Sequence, residues 1–557
     1  MKIKILLFLL LIPAFFFLLR PGEYWNMHDD MQVIRQLEME KCFKDGQIPC
    51  RWSPDLGYGY GYPLFNYYPP LPYLVGEIFR VFGFSFIAAV KLTAIAQILL
   101  SALAMYICAG AIFGSLGGAL SALFYTYAPY RNLNIYVRGA MNEAWASVFF
   151  PLIFYFSYQI IITKKFSPKH SLLLSLSTCG LLLSHNPMVL IFIPLTLLWI
   201  AYWLFRRRFD WAKIRTLGLA AVLSLGLSAF YTLPVLFESK LVQIESMFQN
   251  YYHYSVHYVS VYQLFISNFW SDGPSVWGTA DQMSFMVGYL HWIVPTILLV
   301  YSLFLYYRKK YLATSQLVIL LSLMGFAVTF MAHQKSVFIW QLFPSVQKIQ
   351  FPWRFLNPAA FLFSLSVGAL AFYLEKTNPK PKFIYLITLS AVILLLALNW
   401  PHITPITHGP ITDNQKMGGK AWNNQITSGI YDYLPKTAST AAKAPAQKVV
   451  DEISPPVNYR ISGDKSGTDW LFFNLDLKEN ATITLARLAF PGFKLFDFQQ
   501  EIKYFIEPSL GRFRFDLQAG NHQIYLKLYN TPIRTIANYL SLLSWTFLIW
   551  KLLKLKK

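Results

Sequence analysis

The sequence predicts a mainly α-helical, polytopic membrane protein of about 12 transmembrane helices, with a small β-domain near the C-terminus and a final transmembrane helix after it. Three observations carry this reading. Of 557 residues, 55% are hydrophobic and only 13% are charged, against roughly 25% charged in soluble domains. Apolar segments of near-spanning length recur along the chain. Near the C-terminus the pattern switches to period-2 runs such as WLFFNLDL and HQIYLKLY, separated by turn signals.

The N-terminus, MKIKILLFLLLIPAFFFLLR, places basic residues before a continuous apolar run and shows no small-residue cleavage site ahead of Arg20. It reads as a retained first span, near 3–20. Further apolar segments fall near 85–112, 113–128, 144–163, 170–185, 187–205, 216–236, 285–307, 313–331, 355–374, 382–399 and 536–554. With the N-terminus in the cytoplasm, every strong basic cluster lands on the same side: Lys164, Lys165 and Lys169; Arg206, Arg207, Arg208, Lys213 and Arg215; Arg308, Lys309 and Lys310; Lys376, Lys380 and Lys382; and the tail from Lys551. This is the asymmetry that sets membrane topology. It puts both termini in the cytoplasm and the intervening loops 21–84, 237–284, 332–354 and 400–535 on the outside. The net charge of +21 is spent on these clusters and forms no continuous basic stripe, which excludes a nucleic-acid-binding protein.

The resulting domain plan is a transmembrane domain over 1–399 with its first outer loop at 21–84, an irregular linker over 400–455, an extracytoplasmic β-domain over 456–535, and a C-terminal helix with a basic tail over 536–557. No repeat of solenoid period is evident. Of four cysteines, Cys108 and Cys179 fall inside spans, where a thiol behaves as a small hydrophobe. Cys42 and Cys50 flank KDGQIP in the first outer loop. An oxidising compartment lets them close that turn as a disulfide, and two free thiols are the alternative.

The residues with chemical potential gather on the outer side. Asp29 and Asp30 follow the first span directly, behind His28. They start a short amphipathic segment, 31–43, expected to lie along the interface. Either they cap that helix, with Asp29 and Gln32 as a weak capping box, or one serves as a general base or metal ligand at the membrane surface. The loop from Arg51 and Trp52 through GYGYGYPLFNYYPPLPY, with Tyr67 and Tyr68, offers ring faces that suit a sugar or the interfacial aromatic belt. A second amphipathic segment follows over 71–83, with Glu77 and Arg80 on its polar side. Arg131, Arg138 and Glu143 flank another span on the same face, His185 and Asn186 form a tight SHNP turn, and Arg354 precedes a span beside Trp353. Guanidinium groups there can grip a phosphate or pair with carboxylates and headgroups.

Together the post-span HDD, GQIPCRWSPDLGYGYGYPLFNYYPPLPYL, YAPYRNLNIYVRGAMNEAWA, SHNP, QFPWRFL and SGIYDYLP stretches resemble the bacterial multispanning 6-pyruvoyl-tetrahydropterin-synthase-related membrane proteins. Those in turn look like GT-C superfamily glycosyltransferases, which use polyprenyl-phosphate sugars. The resemblance implies a GT-C-like fold and an acidic base or metal ligand in the first outer loop, matching Asp29 or Asp30. It also implies phosphate-contacting cations, matched by Arg138 and Arg354. No pterin-synthase chemistry is implied, because the chain lacks a His-rich zinc site.

The expected function is therefore an inverting transferase. It takes a sugar from a polyprenyl-phosphate donor to a glycan, lipid or protein on the outer face of the cell membrane, with no obligatory cofactor and a divalent metal as an option. A transporter of lipid-linked sugars needs a similar groove without a base, and a non-catalytic envelope assembly protein needs only the β-domain; these are the alternatives.

Overall fold

The computed structural model describes residues 2–164, 167–377 and 380–555. Lys165 of the first basic loop and the last two lysines of the tail, Lys556 and Lys557, lie outside the described residues. Among those described, eight helices are long and apolar enough to cross a membrane, or nine if the pair Trp211–Leu227 and Ala229–Leu241, bent by 80°, makes one span. The chain has the build of a multi-pass membrane protein. The expected number of about 12 is larger, for local reasons. The first segment is a short helix, Lys2–Leu11, continued by a 3-10 turn over Ile12–Leu19. Pro168–Leu182 has only 15 residues, about 22 Å of helix against a hydrocarbon thickness of about 30 Å.

The segments expected at 85–112 and 113–128 form one helical stretch, Phe86–Tyr127, interrupted at Gly114, whose φ of 82° and ψ of 172° are not helical. In a continuous helix Gly110 and Gly118 would stand about 12 Å apart along the axis. Here a Cβ on Gly118 would lie 2.9 Å from Gly110 Cα and 2.7 Å from the Tyr106 carbonyl oxygen. The stretch therefore folds back on itself, and only glycine fits both the turn and the contact.

The bundle is arranged around Pro352–Thr377, whose most apolar window is 89% buried, against 17% for the last helix, Pro532–Lys554. The central helix packs on Phe86–Tyr127, Leu312–Phe330 and Tyr289–Tyr307. Its Gly368 meets Gly117 so closely that a Cβ on Gly117 would sit 2.7 Å from the Gly368 carbonyl.

The period-2 runs form two antiparallel sheets. Val450–Ser454, Ala481–Leu488, Arg512–Leu517 and Phe505–Ile506 lie side by side in that order. The facing sheet runs Tyr459–Ser466, Trp470–Leu477, Gly520–Leu528, Phe493–Asp497 and Gln500–Glu501. Alternate residues Leu471, Phe473 and Leu475 of one sheet and Ile483, Leu485 and Phe515 of the other are buried in a shared core, as a sandwich requires.

The stretch expected as an irregular linker, 400–455, carries structure of its own. His408–Pro410 pairs with Glu23–Trp25, Asp413–Lys416 and Gly419–Thr427 are helical, and Val450–Ser454 already belongs to the sandwich. The strand pairing ties the exit of the first apolar helix to this region.

Candidate functional site

The two acidic residues behind the first apolar helix are positioned by backbone. His28 N–H donates to the Val137 carbonyl at 3.0 Å and Asp29 N–H to the Arg138 carbonyl at 2.9 Å, which holds the pair against the loop that precedes helix Met141–Ile162. The helix Gln32–Lys44 starts immediately afterwards, with no side-chain cap. The capping role is thus not taken by either carboxylate. The helix is packed within the protein on every side: the consecutive residues Gln32, Val33, Ile34 and Arg35, which together point all round the axis, are buried.

Asp29 is held by side chains from that helix and from the aromatic loop. Its Oδ2 accepts from Arg35 Nη1 at 2.7 Å, from Gln32 Nε2 at 3.3 Å and from the Tyr68 hydroxyl at 3.5 Å. Arg35 Nη1 also donates to the Tyr68 hydroxyl at 2.9 Å, and the guanidinium lies 4.2 Å from the Tyr68 ring centre. All of these bonds reach Oδ2, and the Asp29 side chain is 33% exposed while that of Arg35 is 8% exposed. The carboxylate is thus held through Oδ2, and none of these three bonds uses Oδ1. Burial penalises the Arg35 charge, but Asp29 more than compensates and holds its pKa above the ordinary arginine value.

Asp30 points elsewhere. Its Oδ2 pairs with Lys416 of the short helix Asp413–Lys416, and its Oδ1 is buried with no hydrogen-bond partner. Burial raises its pKa, with Lys416 opposing. The adjacent acids therefore serve different elements: Asp30 pairs with the 400s segment, and Asp29 with Arg35 and the aromatic loop.

Beside Asp29 lies a buried ionic knot. Glu143, which is 1% exposed, accepts from Arg138 Nη1 at 2.9 Å and from the Tyr130 hydroxyl at 2.8 Å, and Arg354 Nε lies 3.6 Å from it. Arg138 also stacks 4.1 Å from the Trp353 ring centre. Arg354 donates through Nη1 to the Ile349 carbonyl at 2.7 Å, while its Nε is buried without a hydrogen-bond partner. His185 sits in the field of Arg354, Glu143 and Arg138, and burial pushes its pKa down to about 3. Its Nδ1 is buried without a partner.

A further carboxylate was not singled out from the sequence. Asp432, within SGIYDYLP, feels both Arg35 and Asp29, and burial pushes its pKa up to about 6. Its neighbour Tyr433 stacks on Tyr67 at 5.7 Å and donates its backbone N–H to the Tyr62 hydroxyl at 2.6 Å. Arg35 was missed as well, because Asp29 and Arg35 are six residues apart and no short-spacing rule pairs them. Asp432 follows Asp29 by some four hundred residues and has no local signal beyond its motif.

The structure brings Asp29, Tyr68, Arg138, Glu143, His185 and Arg354 together, and His28 bonds through Nε2 to the Asp272 carbonyl at 2.6 Å. Other expected site residues have structural partners. Arg51 donates to Asn66 Oδ1 at 2.9 Å and to Asn538 Oδ1 of the last helix at 2.8 Å. Trp52 is fully buried against Phe493 and Phe490 of the sandwich. Tyr67 donates to the Glu238 carbonyl, and Asn186 to the Tyr231 hydroxyl. Arg131 donates to the Tyr125 carbonyl at 2.7 Å and to Ser101 Oγ at 2.6 Å, binding the two halves of the Gly114 hairpin. Each of the five is engaged by neighbouring elements: Arg51, Tyr67, Asn186 and Arg131 through these hydrogen bonds, and Trp52 through ring packing, with its Nε1 buried without a hydrogen-bond partner. Cys42 and Cys50 are joined, with Cα atoms 5.4 Å apart. Among the described residues, no three His, Cys, Asp or Glu side chains converge to hold a metal ion.

No protein-family model matches the sequence, so the family resemblance rests on its motifs. A protein of Lactococcus lactis subsp. cremoris (strain MG1363), described only as uncharacterized, is 25% identical over 218 residues, which is 36% of this chain and 34% of that protein. Among solved structures, the chain is similar to ArnT from Cupriavidus metallidurans bound to undecaprenyl phosphate, with a TM-score of 0.39, 14% identity, and coverage of 71% of this chain and 63% of that one. For ArnT in the apo state the values are 0.39, 16%, 72% and 64%. The chain thus spans about a third of the Lactococcus protein and less than two thirds of ArnT.

Proposed function

We propose that this chain is a glycosyltransferase of the GT-C type that moves a sugar from a polyprenyl-phosphate donor to a hydroxyl-bearing glycan, lipid or protein on the extracytoplasmic side of the cell membrane. The observation that carries the reading is Asp29: a partly exposed carboxylate whose hydrogen bonds all enter one oxygen from a buried guanidinium, an amide and a phenol. That arrangement fixes the carboxylate while leaving Oδ1 for an incoming donor, as a general base needs.

In the proposed step, Asp29 Oδ1 takes the proton from the acceptor hydroxyl while the acceptor oxygen bonds to the anomeric carbon. The bond from that carbon to the phosphate oxygen breaks on the opposite face, and the polyprenyl phosphate leaves with the electron pair. Arg354, whose Nε has no hydrogen-bond partner, and Arg138 are the cations assigned to the departing phosphate. Glu143 between them keeps two neighbouring guanidinium groups from repelling each other. The basic clusters read from the sequence support cytoplasmic termini, with this site and the sandwich on the outer side.

The test is mass spectrometry of lipid-linked sugars and envelope glycans from cells carrying the wild-type chain or Asp29→Asn at matched expression. Loss of one glycan modification, with accumulation of its polyprenyl-phosphate donor, is expected. An unchanged profile would remove the transferase reading.

A further inference from the structure

One open groove has a lining that does not include Asp29. It has a volume of about 500 Å³ and runs between the end of the first apolar helix, the start of Phe86–Tyr127 and residues 411–414. Leu18, Leu19, Phe84, Ile87, Leu92 and Ile95 make its walls apolar. The tip beside it is more apolar and more exposed than a water-facing loop tolerates: Val81 is 83% exposed and Phe82 75% exposed. Such a tip belongs in lipid, so the groove opens at the level where the bilayer begins.

Charges at the mouth are unequally committed. Asp413 accepts the backbone N–H groups of Phe86 at 2.7 Å and Ile87 at 3.0 Å. Lys91 Nζ donates to the carbonyls of Arg20 and Glu23. Arg20 is exposed, its guanidinium makes no hydrogen bond or ion pair among the described residues, and it lies 5.5 Å from the centre of the Phe17 ring.

We infer that this groove binds an anionic glycerophospholipid, with an acyl chain between Leu18 and Ile95 and the phosphodiester on Arg20. One unpaired guanidinium matches the single negative charge of a phosphodiester, which it can hold through two parallel N–H bonds. The occupant is bound and not consumed: the carboxylate in the groove lining is Asp413, and both its oxygens already serve backbone donors. A reacting sugar phosphate would find no base here.

The experiment uses the purified full-length protein in detergent, with phosphatidylglycerol, phosphatidylcholine and undecaprenyl phosphate as separate probes. Native mass spectrometry counts retained lipid, and thermal unfolding follows stabilisation. Arg20→Glu reverses the charge at an exposed site, and Ala88→Trp fills the groove without touching the charge. The wild-type chain is expected to retain one phosphatidylglycerol and to gain several degrees in Tm with it, with phosphatidylcholine retained at least tenfold less. Either substitution is expected to remove both effects. Equal retention of phosphatidylglycerol by all three chains would overturn the inference, as would retention of undecaprenyl phosphate at this groove in place of phosphatidylglycerol. Because neither substitution touches Asp29, failure here leaves the transferase reading standing.

Discussion

Arg35 Nη1 donates to Asp29 Oδ2 at 2.7 Å from a guanidinium that is almost entirely buried, so the exposed carboxylate is oriented by a charge that solvent cannot screen. The adjacent Asp30 has its own cation in Lys416. Two acids next to each other in sequence are thereby given separate roles, and this separation yields the first prediction.

Asp29→Asn should lower transfer by about 10²- to 10⁴-fold, the usual contribution of a general base, and should also lower Tm, because it leaves the buried Arg35 guanidinium without its carboxylate. Asp30→Asn should lower Tm and leave transfer intact. It leaves Lys416 without its partner and should cost about 1–2 kcal/mol, a value reduced from that of a buried pair because the Asp30 side chain is 36% exposed. Transfer rates and thermal unfolding of both variants, measured together, check the assignment. An inactive Asp30→Asn beside an active Asp29→Asn would reverse it.

Arg35 is a positioning residue, and its chemistry differs from that of lysine. Arg35→Lys keeps the charge but loses the planar guanidinium that lies 4.2 Å from the Tyr68 ring centre while its Nη1 donates to both Asp29 and the Tyr68 hydroxyl. The expected loss is roughly 10- to 100-fold in kcat, the kinetic equivalent of about 1.5–3 kcal/mol for a hydrogen bond to a charged group, with KM little changed. Arg35→Ala should lose more. A purely structural role would instead lower the yield of folded protein and leave the kcat of the folded fraction intact.

Asp432 should imprint a pH dependence on stability. Its carboxyl is raised from 3.8 to about 6 by burial, so between roughly pH 4 and 6 the folded chain holds a proton that the unfolded chain has released. Stability then falls as pH rises through that window, with a slope of at most about 1.4 kcal/mol per pH unit for one proton. Asp432→Asn should flatten this part of the profile and raise Tm at pH 7. Thermal unfolding from pH 4.5 to 7.5 reads the effect, and identical slopes in both chains would refute it.

Trp52 should matter for architecture and not for chemistry. It is fully buried and meets Phe493 edge-on at 5.0 Å, joining the first loop to the sandwich. Trp52→Ala should cost about 3–5 kcal/mol and expose the 428–449 segment to limited proteolysis. The variant with an unchanged digestion pattern would show that the junction is held elsewhere.

The helix-forming and strand-forming stretches were legible because hydrophobic periodicity is local. The apolar segments, the short helices after the first span and the alternation of WLFFNLDL each carry their signal within a few turns. The break at Gly114 was legible only as a boundary between two segments; that the halves fold back on each other depends on Gly110 and Gly118 meeting without side chains.

The site divides along the same line. That acids follow the first apolar helix, that Arg138, Glu143, His185 and Arg354 share a face with them, and that aromatics crowd the first loop could be read from the sequence alone, since topology and residue type are enough for that. Which element each acid pairs with, that Arg35 braces Asp29, that Asp432 stands in the same field, and that Arg51, Trp52 and Arg131 are engaged in packing were decided by tertiary structure. Those outcomes depend on which buried polar group finds which partner across tens to hundreds of residues, and a buried charge takes whatever partner the fold brings within hydrogen-bond reach.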